Sequence, residues 1–283
     1  MVWFLKRGVK KGLQKVGGSM GLQEIVSAQH QIVTELRKLR DICSRIQYQM
    51  PVAPDSLPIP PGELHALVSG DDELDISAFF DVGRFCADSV VRLLKKRGVD
   101  IDDLGAILDF GCGCGRVIRY FNSLKRAKLY GTDYNPKMID WCKKNLPFAA
   151  FEVNALSPPL VYGDGSFGLI YTFSVFTHLS EALQVSWLAE LSRVLKPGGY
   201  LLLTTMGAHY ADAFLPPPQR EQFRSGRLVV LNEGSSGANN CGAFHPAPYV
   251  QQSLVRGFEV LEFAPGEGPG QTPALDTYLL RKF

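Results

Sequence analysis

The 283-residue chain is 46% hydrophobic and 20% charged, enough apolar sequence to bury one large catalytic domain with an appendage. A net charge of +2 argues against a general nucleic-acid binder, and six cysteines in a chain of this length do not make a disulfide framework, so a reduced, cytoplasmic setting is expected. There is no run of eighteen or more apolar residues to span a membrane, and the first twenty residues lack the apolar core and cleavage pattern of a secretory signal.

The charge is unevenly placed. Residues 1–50 carry nine Lys or Arg against Glu24, Glu35 and Asp41, so the remainder is acidic. Over 1–16, Trp3, Phe4, Leu5, Val9, Leu13 and Val16 sit among five basic residues. A short basic amphipathic helix of this kind can lie peripherally on an anionic membrane surface, or pack on its own domain or a partner. From 21 to 50, Leu22, Ile25, Gln29, Ile32, Leu36, Leu39, Cys43 and Ile46 follow one another at spacings of three and four. Such a heptad seam can pair with a second copy, giving a homo-oligomer, or pack on the catalytic domain. Pro51, Pro54, Pro58, Pro60 and Pro61 make 51–62 a stiff extended linker, so the domain organisation expected is an arm (1–50), a linker (51–62) and a catalytic domain (63–283). Apolar periodicity resumes in an amphipathic helix over 81–97 that stops at Gly98.

The stretch 107–133 organises the rest. Ile107-Leu108 leads into Asp109-Phe110-Gly111-Cys112-Gly113-Cys114-Gly115, and apolar residues then recur at helical spacing over 116–121. This predicts strand, tight glycine turn, helix. A second strand over 127–132 ends on Asp133, eighteen residues beyond Gly115. The β-α-β unit with an acid at the tip of its second strand is the ribose-binding half of a doubly wound sheet. Glycines admit a sharp turn and close approach of a ligand, and Asp133 can accept from both ribose hydroxyls, with charge-assisted bonds of roughly 1.5 to 3 kcal/mol each. The dinucleotide fingerprint spaces its glycines Gly-x-Gly-x-x-Gly, whereas Gly111, Gly113 and Gly115 are evenly spaced behind Asp109. Cys112 and Cys114 lack the second pair or neighbouring His of a metal site and read as small side chains filling the turn; no metal is expected.

Asp109 followed by Gly111-x-Gly113-x-Gly115 resembles motif I of the class I S-adenosylmethionine-dependent methyltransferases, and the resemblance extends over some 200 residues, from about 79 to 283. It implies an α/β, doubly wound, mostly parallel seven-stranded sheet (a Rossmann-like methyltransferase fold), here with an N-terminal helical arm, and S-adenosyl-L-methionine as cofactor. In that family a helix at the position of 81–97 covers the methionine end of the cofactor, which would bring Arg84 to its carboxylate. Tyr134 follows the ribose acid and could lie flat on adenine. The third strand, 149–153, ends at Asn154-Ala155, where the family usually carries an acid on the adenine amino group; the Asn154 carbonyl can accept that bond with less charge assistance.

The fourth, central strand (166–174) ends at Phe173-Ser174, where ligands meet in an open α/β sheet. The Asn or Asp-Pro-Pro-aromatic signature of several nucleic-acid and glutamine N-methyltransferases is missing there. A helix over 181–195 and Leu195-Lys196-Pro197-Gly198-Gly199 before an apolar strand are recurrent marks of the family, structural in role. The long connection 206–249, with a strand expected over 227–232, is where acceptor recognition belongs. A helix over 249–256 and strands over 258–262 and 277–282 complete the chain, the last inserted antiparallel as in the family.

Methyl transfer from a sulfonium chiefly requires alignment, with a general base only for a hydroxyl or protonated amine. His178, just past the central strand, and His245, in the insert, are the candidate bases. The reading is methyl transfer to a small-molecule, sugar or lipid-linked acceptor, at oxygen. The rivals are an NAD-dependent oxidoreductase and a silent cofactor-binding module recruited to a membrane or partner by its arm.

Overall fold

The computed structural model describes residues 32–34, 36–38, 55–69, 76–266 and 274–283. The chain divides between Asp75 and Ile76 into two compact units. In the first, residues 32–34 and 36–38 are helical, with Ile32, Val33 and Leu36 exposed; 55–61 form a turn and extended chain; α1 spans Gly62–Ser69. The amphipathic helix expected over 1–16 and most of the heptad seam, from Leu22 to Gln29 and from Leu39 to Ile46, lie outside the described residues. Among the described residues no helix is long and apolar enough to cross a membrane.

The second unit opens with α2 (Ile76–Lys95), which buries Phe79, Phe80, Gly83, Cys86, Ala87, Val90, Leu93 and Leu94 at three- and four-residue spacing. Its end is turned by Gly98, at φ +71. A seven-stranded sheet follows, built from β1 (Ala106–Phe110), β2 (Lys128–Asp133), β3 (Ala149–Val153), β4 (Phe167–Thr172), β5 (Leu195–Thr205), β8 (Phe258–Ala264) and β9 (Asp276–Lys282). The order is β3-β2-β1-β4-β5-β9-β8, with the first five strands parallel and β9 antiparallel between β5 and β8. The strand order reverses beside β1, which opens a crevice at the carboxyl ends of β1 and β4. Helices α3 (Pro136–Asn145, capped by Asn135) and α4 (Glu181–Val194, capped by Ser180) cross between parallel strands. β4 is buried at every position, and its Phe167 and Ile170 pack with Leu108, Trp187, Leu191, Leu201 and Leu280 in one core.

Two expected helices take other forms. Over 116–121 the structure has a 3₁₀ turn, Ile118–Phe121, with Tyr120 N–H donating to Val117 O (3.1 Å) and Asn122 N–H to Arg119 O (3.4 Å). Six residues are too few to offset helix nucleation, and β-branched Val117 and Ile118 weaken it further. The expected helix over 249–256 is a short turn, Ala247–Tyr249, running into a π-helical turn, Val250–Leu254, closed by Val255 N–H on Val250 O at 3.0 Å. That wide turn lets Val250, Leu254 and Val255 all face the core.

The insert is a small layer of its own. Helices α5 (Ala208–Phe214) and α6 (Pro217–Arg224) and the hairpin β6 (Val229–Leu231) with β7 (Gly242–Phe244) enclose Ala211, Leu215, Phe223, Val229 and Phe244. Within it His245 N–H donates to Met206 O (2.7 Å), and the His245 side chain fastens it to α4. This corrects the expectation for His245: the ring is fully buried, and its Nε2–H donates to Gln184 Oε1 at 2.9 Å while the Gln184 amide donates to the carbonyls of Phe176 and Leu179. It is a core residue with no surface to offer an acceptor.

Burial pushes His245 down to about 3, from a reference near 6.5. Between those values the unfolded chain binds the proton and the folded chain does not, so stability is complete above pH 6.5 and falls on acidification, by about 1.4 kcal/mol per pH unit. His245→Gln keeps a donor for Gln184 without a titratable group. Urea unfolding from pH 7 to pH 4.5 should show a flatter acid slope in this variant; equal slopes would contradict the assignment.

Candidate functional site

The glycine loop leaves β1 and folds back over the end of β2. Gly111 and Cys112 N–H both donate to Thr132 O (2.8 and 2.9 Å), Gly113 N–H donates to Asp133 Oδ2 (2.9 Å), and Gly115 N–H to Cys112 O (2.9 Å). Gly111 lies at φ +78 with Val175 Cγ2 where a Cβ would stand, so no other residue fits there. Cys112 and Cys114 are buried free thiols whose burial raises them, as inert packing groups are. Among the described residues no three His, Cys, Asp or Glu side chains cluster to hold a metal.

Asp133 closes the loop from the other side. Its Oδ1 accepts from Asn135 N–H (2.8 Å), so both oxygens are held while lone pairs remain for a ligand. Burial raises its pKa and the Asn135 and Gly113 N–H groups oppose the rise. Tyr134, next in the chain, is 49% exposed. On the adjacent strand Asn154 N–H donates to Asp133 O (3.1 Å) and Asn154 Nδ2 to Ala155 O (2.7 Å), while Asn154 Oδ1 is buried without a partner. An orphaned acceptor fits a ligand amino group.

Asp109 stands at the root of the loop, opposite Tyr171 of β4. Its Oδ2 is buried without a hydrogen-bond partner. Burial and the charge of Asp133 push its pKa up to about 8, against the Tyr171 phenol, the Ile118 N–H and Arg116. Arg116 follows Gly115; burial lowers its pKa while Cys86, Cys114 and Asp109 oppose the fall, and the sequence reading missed it because a lone Arg after the glycines carries no periodic signal. Arg84 stands elsewhere: it is exposed on α2, its guanidinium 5.3 Å from the centre of the Tyr120 ring, in a groove with Lys95, Val99, Ile101 and Ser123 that includes no residue of the glycine loop.

At the end of β4, Phe173 is half-buried 6.0 Å from Tyr171, and Ser174 holds a left-handed φ of +59. That strained turn is fastened by Ser174 N–H on Thr204 Oγ1 (2.9 Å) and Thr177 Oγ1–H on Ser174 O (2.8 Å). It delivers His178, whose Nδ1–H donates to Cys241 O in the insert (2.8 Å). A carbonyl only accepts, so Nδ1 carries the proton and Nε2 keeps its lone pair; among the described residues Nε2 has no hydrogen-bond partner. Burial lowers the His178 pKa, with the Cys241 carbonyl opposing.

Residues 108–203 match the family model described as a methyltransferase domain. Over 144 residues the chain is 33% identical to a malonyl-[acyl-carrier protein] O-methyltransferase of Hahella chejuensis, covering 48% of this chain and 50% of that protein. Over 106 residues it is 32% identical to a fatty-acid O-methyltransferase of Mycolicibacterium smegmatis, covering 37% and 38%. The chain thus spans about half the length, or less, of these curated relatives. Among solved structures, the Burkholderia thailandensis 1,6-didemethyltoxoflavin-N1-methyltransferase superposes with a TM-score of 0.52 at 18% identity, over 82% of this chain and 93% of that one, which establishes likeness of fold.

The hydrogen bond to Cys241 O makes His178 a neutral Nδ1–H tautomer at pH 7. Nitrogen NMR of labelled protein should find a protonated Nδ1, a bare Nε2 and a titration midpoint below 6.5. A His178 that is charged at neutral pH would refute this.

Proposed function

We propose, from the premise that the chain carries a class I S-adenosylmethionine-dependent methyltransferase domain, that it transfers a methyl group to oxygen of a small-molecule acceptor with His178 as general base. The observation that supports this best is the Asp133 carboxylate held at the lip of the glycine loop by the Gly113 N–H. Bound there, S-adenosylmethionine would supply an electrophilic methyl group. The residues fit it: Asp133 would accept from the ribose hydroxyls, Tyr134 would lie on adenine, the orphaned Asn154 Oδ1 would accept from the adenine amino group, and the orphaned Asp109 Oδ2 would meet the ammonium.

His178 Nε2 would take the proton of an acceptor hydroxyl as its oxygen attacks. A histidine neutral at pH 7 is ready for that, and a positioned base contributes roughly 10²- to 10⁴-fold. The half-buried Phe173 and the insert would keep water from the reacting oxygen. A second reading is a carboxylate acceptor, favoured by the names of two relatives, both O-methyltransferases of acids. A carboxylate is already ionised at pH 7 and needs no base.

Calorimetry should give at least tenfold weaker S-adenosylmethionine binding for Asp133→Ala, and no NADH binding by the unaltered chain; unchanged affinity in the variant would sink the cofactor assignment. With a hydroxyl acceptor, His178→Gln should lower kcat by roughly 10²-fold or more and remove the acid limb of the pH profile. Turnover of fatty or malonyl acids that is indifferent to His178→Gln would replace the hydroxyl reading by the carboxylate one.

A further inference from the structure

His178 is fixed from two directions, and both run through one buried side chain. The residue closes a 3₁₀ turn, Phe176–His178. The carbonyls on either side of it, Phe176 O and Leu179 O, take the N–H groups of the Gln184 amide at 3.3 and 2.9 Å. Carbonyls only accept, so the amide nitrogen must face the turn, and Gln184 Oε1 is left to accept from His245 Nε2–H at 2.9 Å. His245 directly follows β7, and Cys241, whose carbonyl holds the Nδ1–H of His178, directly precedes it. The three residues of β7 are all that separate the Gln184–His245 pair from the carbonyl that sets the ring. The bonds form a closed circuit: Gln184 to the backbone around His178, the His178 ring to Cys241, β7 to His245, and His245 back to Gln184. Both members of the pair are fully buried, where apolar side chains would fill the same volume without a polar cost. A satisfied polar pair in such a place fixes a single arrangement of the elements it joins.

We propose that Gln184 and His245 are positioning residues for His178: they lock the insert to the 3₁₀ turn in the register that puts the Cys241 carbonyl on Nδ1 and leaves Nε2 open to an acceptor. This rests on the reading of His178 as the base and supplies the reason its ring holds one tautomer. Fully buried, the pair acts through His178 and not on a ligand. An imidazole released from Cys241 redistributes its proton between the two nitrogens. Each molecule with the proton on Nε2 then has no lone pair there to take another from a hydroxyl.

Nitrogen NMR of the full chain, free of ligand, reads the tautomer directly and needs no acceptor. In His245→Leu the Nδ1–H form of His178 should give way to a mixture of both tautomers, and the titration midpoint should rise toward 6.5 as the ring gains solvent. His245→Gln, which keeps a donor for Gln184, should restore the unaltered spectrum. Calorimetry should find S-adenosylhomocysteine affinity within about threefold of the original in both, as expected of variants that fold. The unaltered chain gives a check that no misfolded variant can spoil. If one opening event exposes both rings, the His178 Nδ1–H and the His245 Nε2–H should exchange with water at rates within about tenfold of each other. The proposal is overturned if His245→Leu keeps the Nδ1–H tautomer, if His245→Gln fails to restore it, or if the His178 proton exchanges far faster than that of His245. If the spectra behave as expected while turnover is indifferent to His178→Gln, the base reading falls and the positioning of the ring stands.

Discussion

The hydrogen bond from Gly113 N–H to the Asp133 carboxylate, 2.9 Å long and buried, joins the loop after β1 to the tip of β2, and the rest of the site is arranged around it. A charge-assisted bond of this kind is worth roughly 1.5 to 3 kcal/mol, enough to hold three residues of left-handed backbone in register. Thr132 O, one residue earlier, takes two further loop N–H groups, so the loop is shaped by β2 as much as by its own glycines. Beneath it the Cys142 thiol donates to Gly113 O at 3.5 Å, and Leu146 occupies the space a Cβ on Gly115 would need. Residues of α3 and its C-cap thus form the underside of a loop thirty residues earlier in the chain.

The insert has the matching role on the other side of the crevice. Gly237 N–H donates to His178 O (2.7 Å), Ser180 N–H to Ser236 Oγ (2.7 Å), and the His178 ring to Cys241 O. Gly237 also packs on Leu156, just beyond Asn154-Ala155, and Trp187 Nε1–H donates to Leu156 O at 2.9 Å. One short loop therefore touches both the segment after β3 and the segment after β4. Movement of 234–241 would alter the His178 tautomer and the segment after β3 together, which is a reason for a 44-residue connection to be tied down by the buried Gln184–His245 pair.

What the sequence disclosed and what it withheld follow from the range of the forces involved. The seven-stranded, mostly parallel sheet, the places of its strands and the fold of the glycine loop back onto Asp133 were legible, because apolar runs bounded by turn residues and glycine spacing are local signals. The 3₁₀ turn at Ile118–Phe121 was not, since apolar residues over six positions fit either helix. Two histidines of the same type were indistinguishable in the sequence; only tertiary packing made His245 a buried strut and left His178 an open nitrogen. Arg84 was placed by family resemblance, and its contact with the Tyr120 ring, 36 residues away in sequence, is one that no local signal announces.

The same hydrogen bonds decide between a pyrophosphate and an amino-acid sulfonium as the fitting ligand chemistry. A phosphate cradle works by leaving backbone N–H groups unsatisfied for the anion. Here Gly111, Cys112, Gly113 and Gly115 all donate within the protein, to Thr132 O, Asp133 and Cys112 O. Two buried acids, Asp109 and Asp133, also lie close enough for the charge of one to raise the pKa of the other, so a pyrophosphate between them would add negative charge to a site that already disfavours it. A ligand that is a cation at its centre reverses that sign: each carboxylate becomes a favourable neighbour, and the loop need only provide shape. The evenly spaced glycines are therefore a consequence of chemistry, since a loop relieved of binding phosphate can spend its donors on holding itself closed.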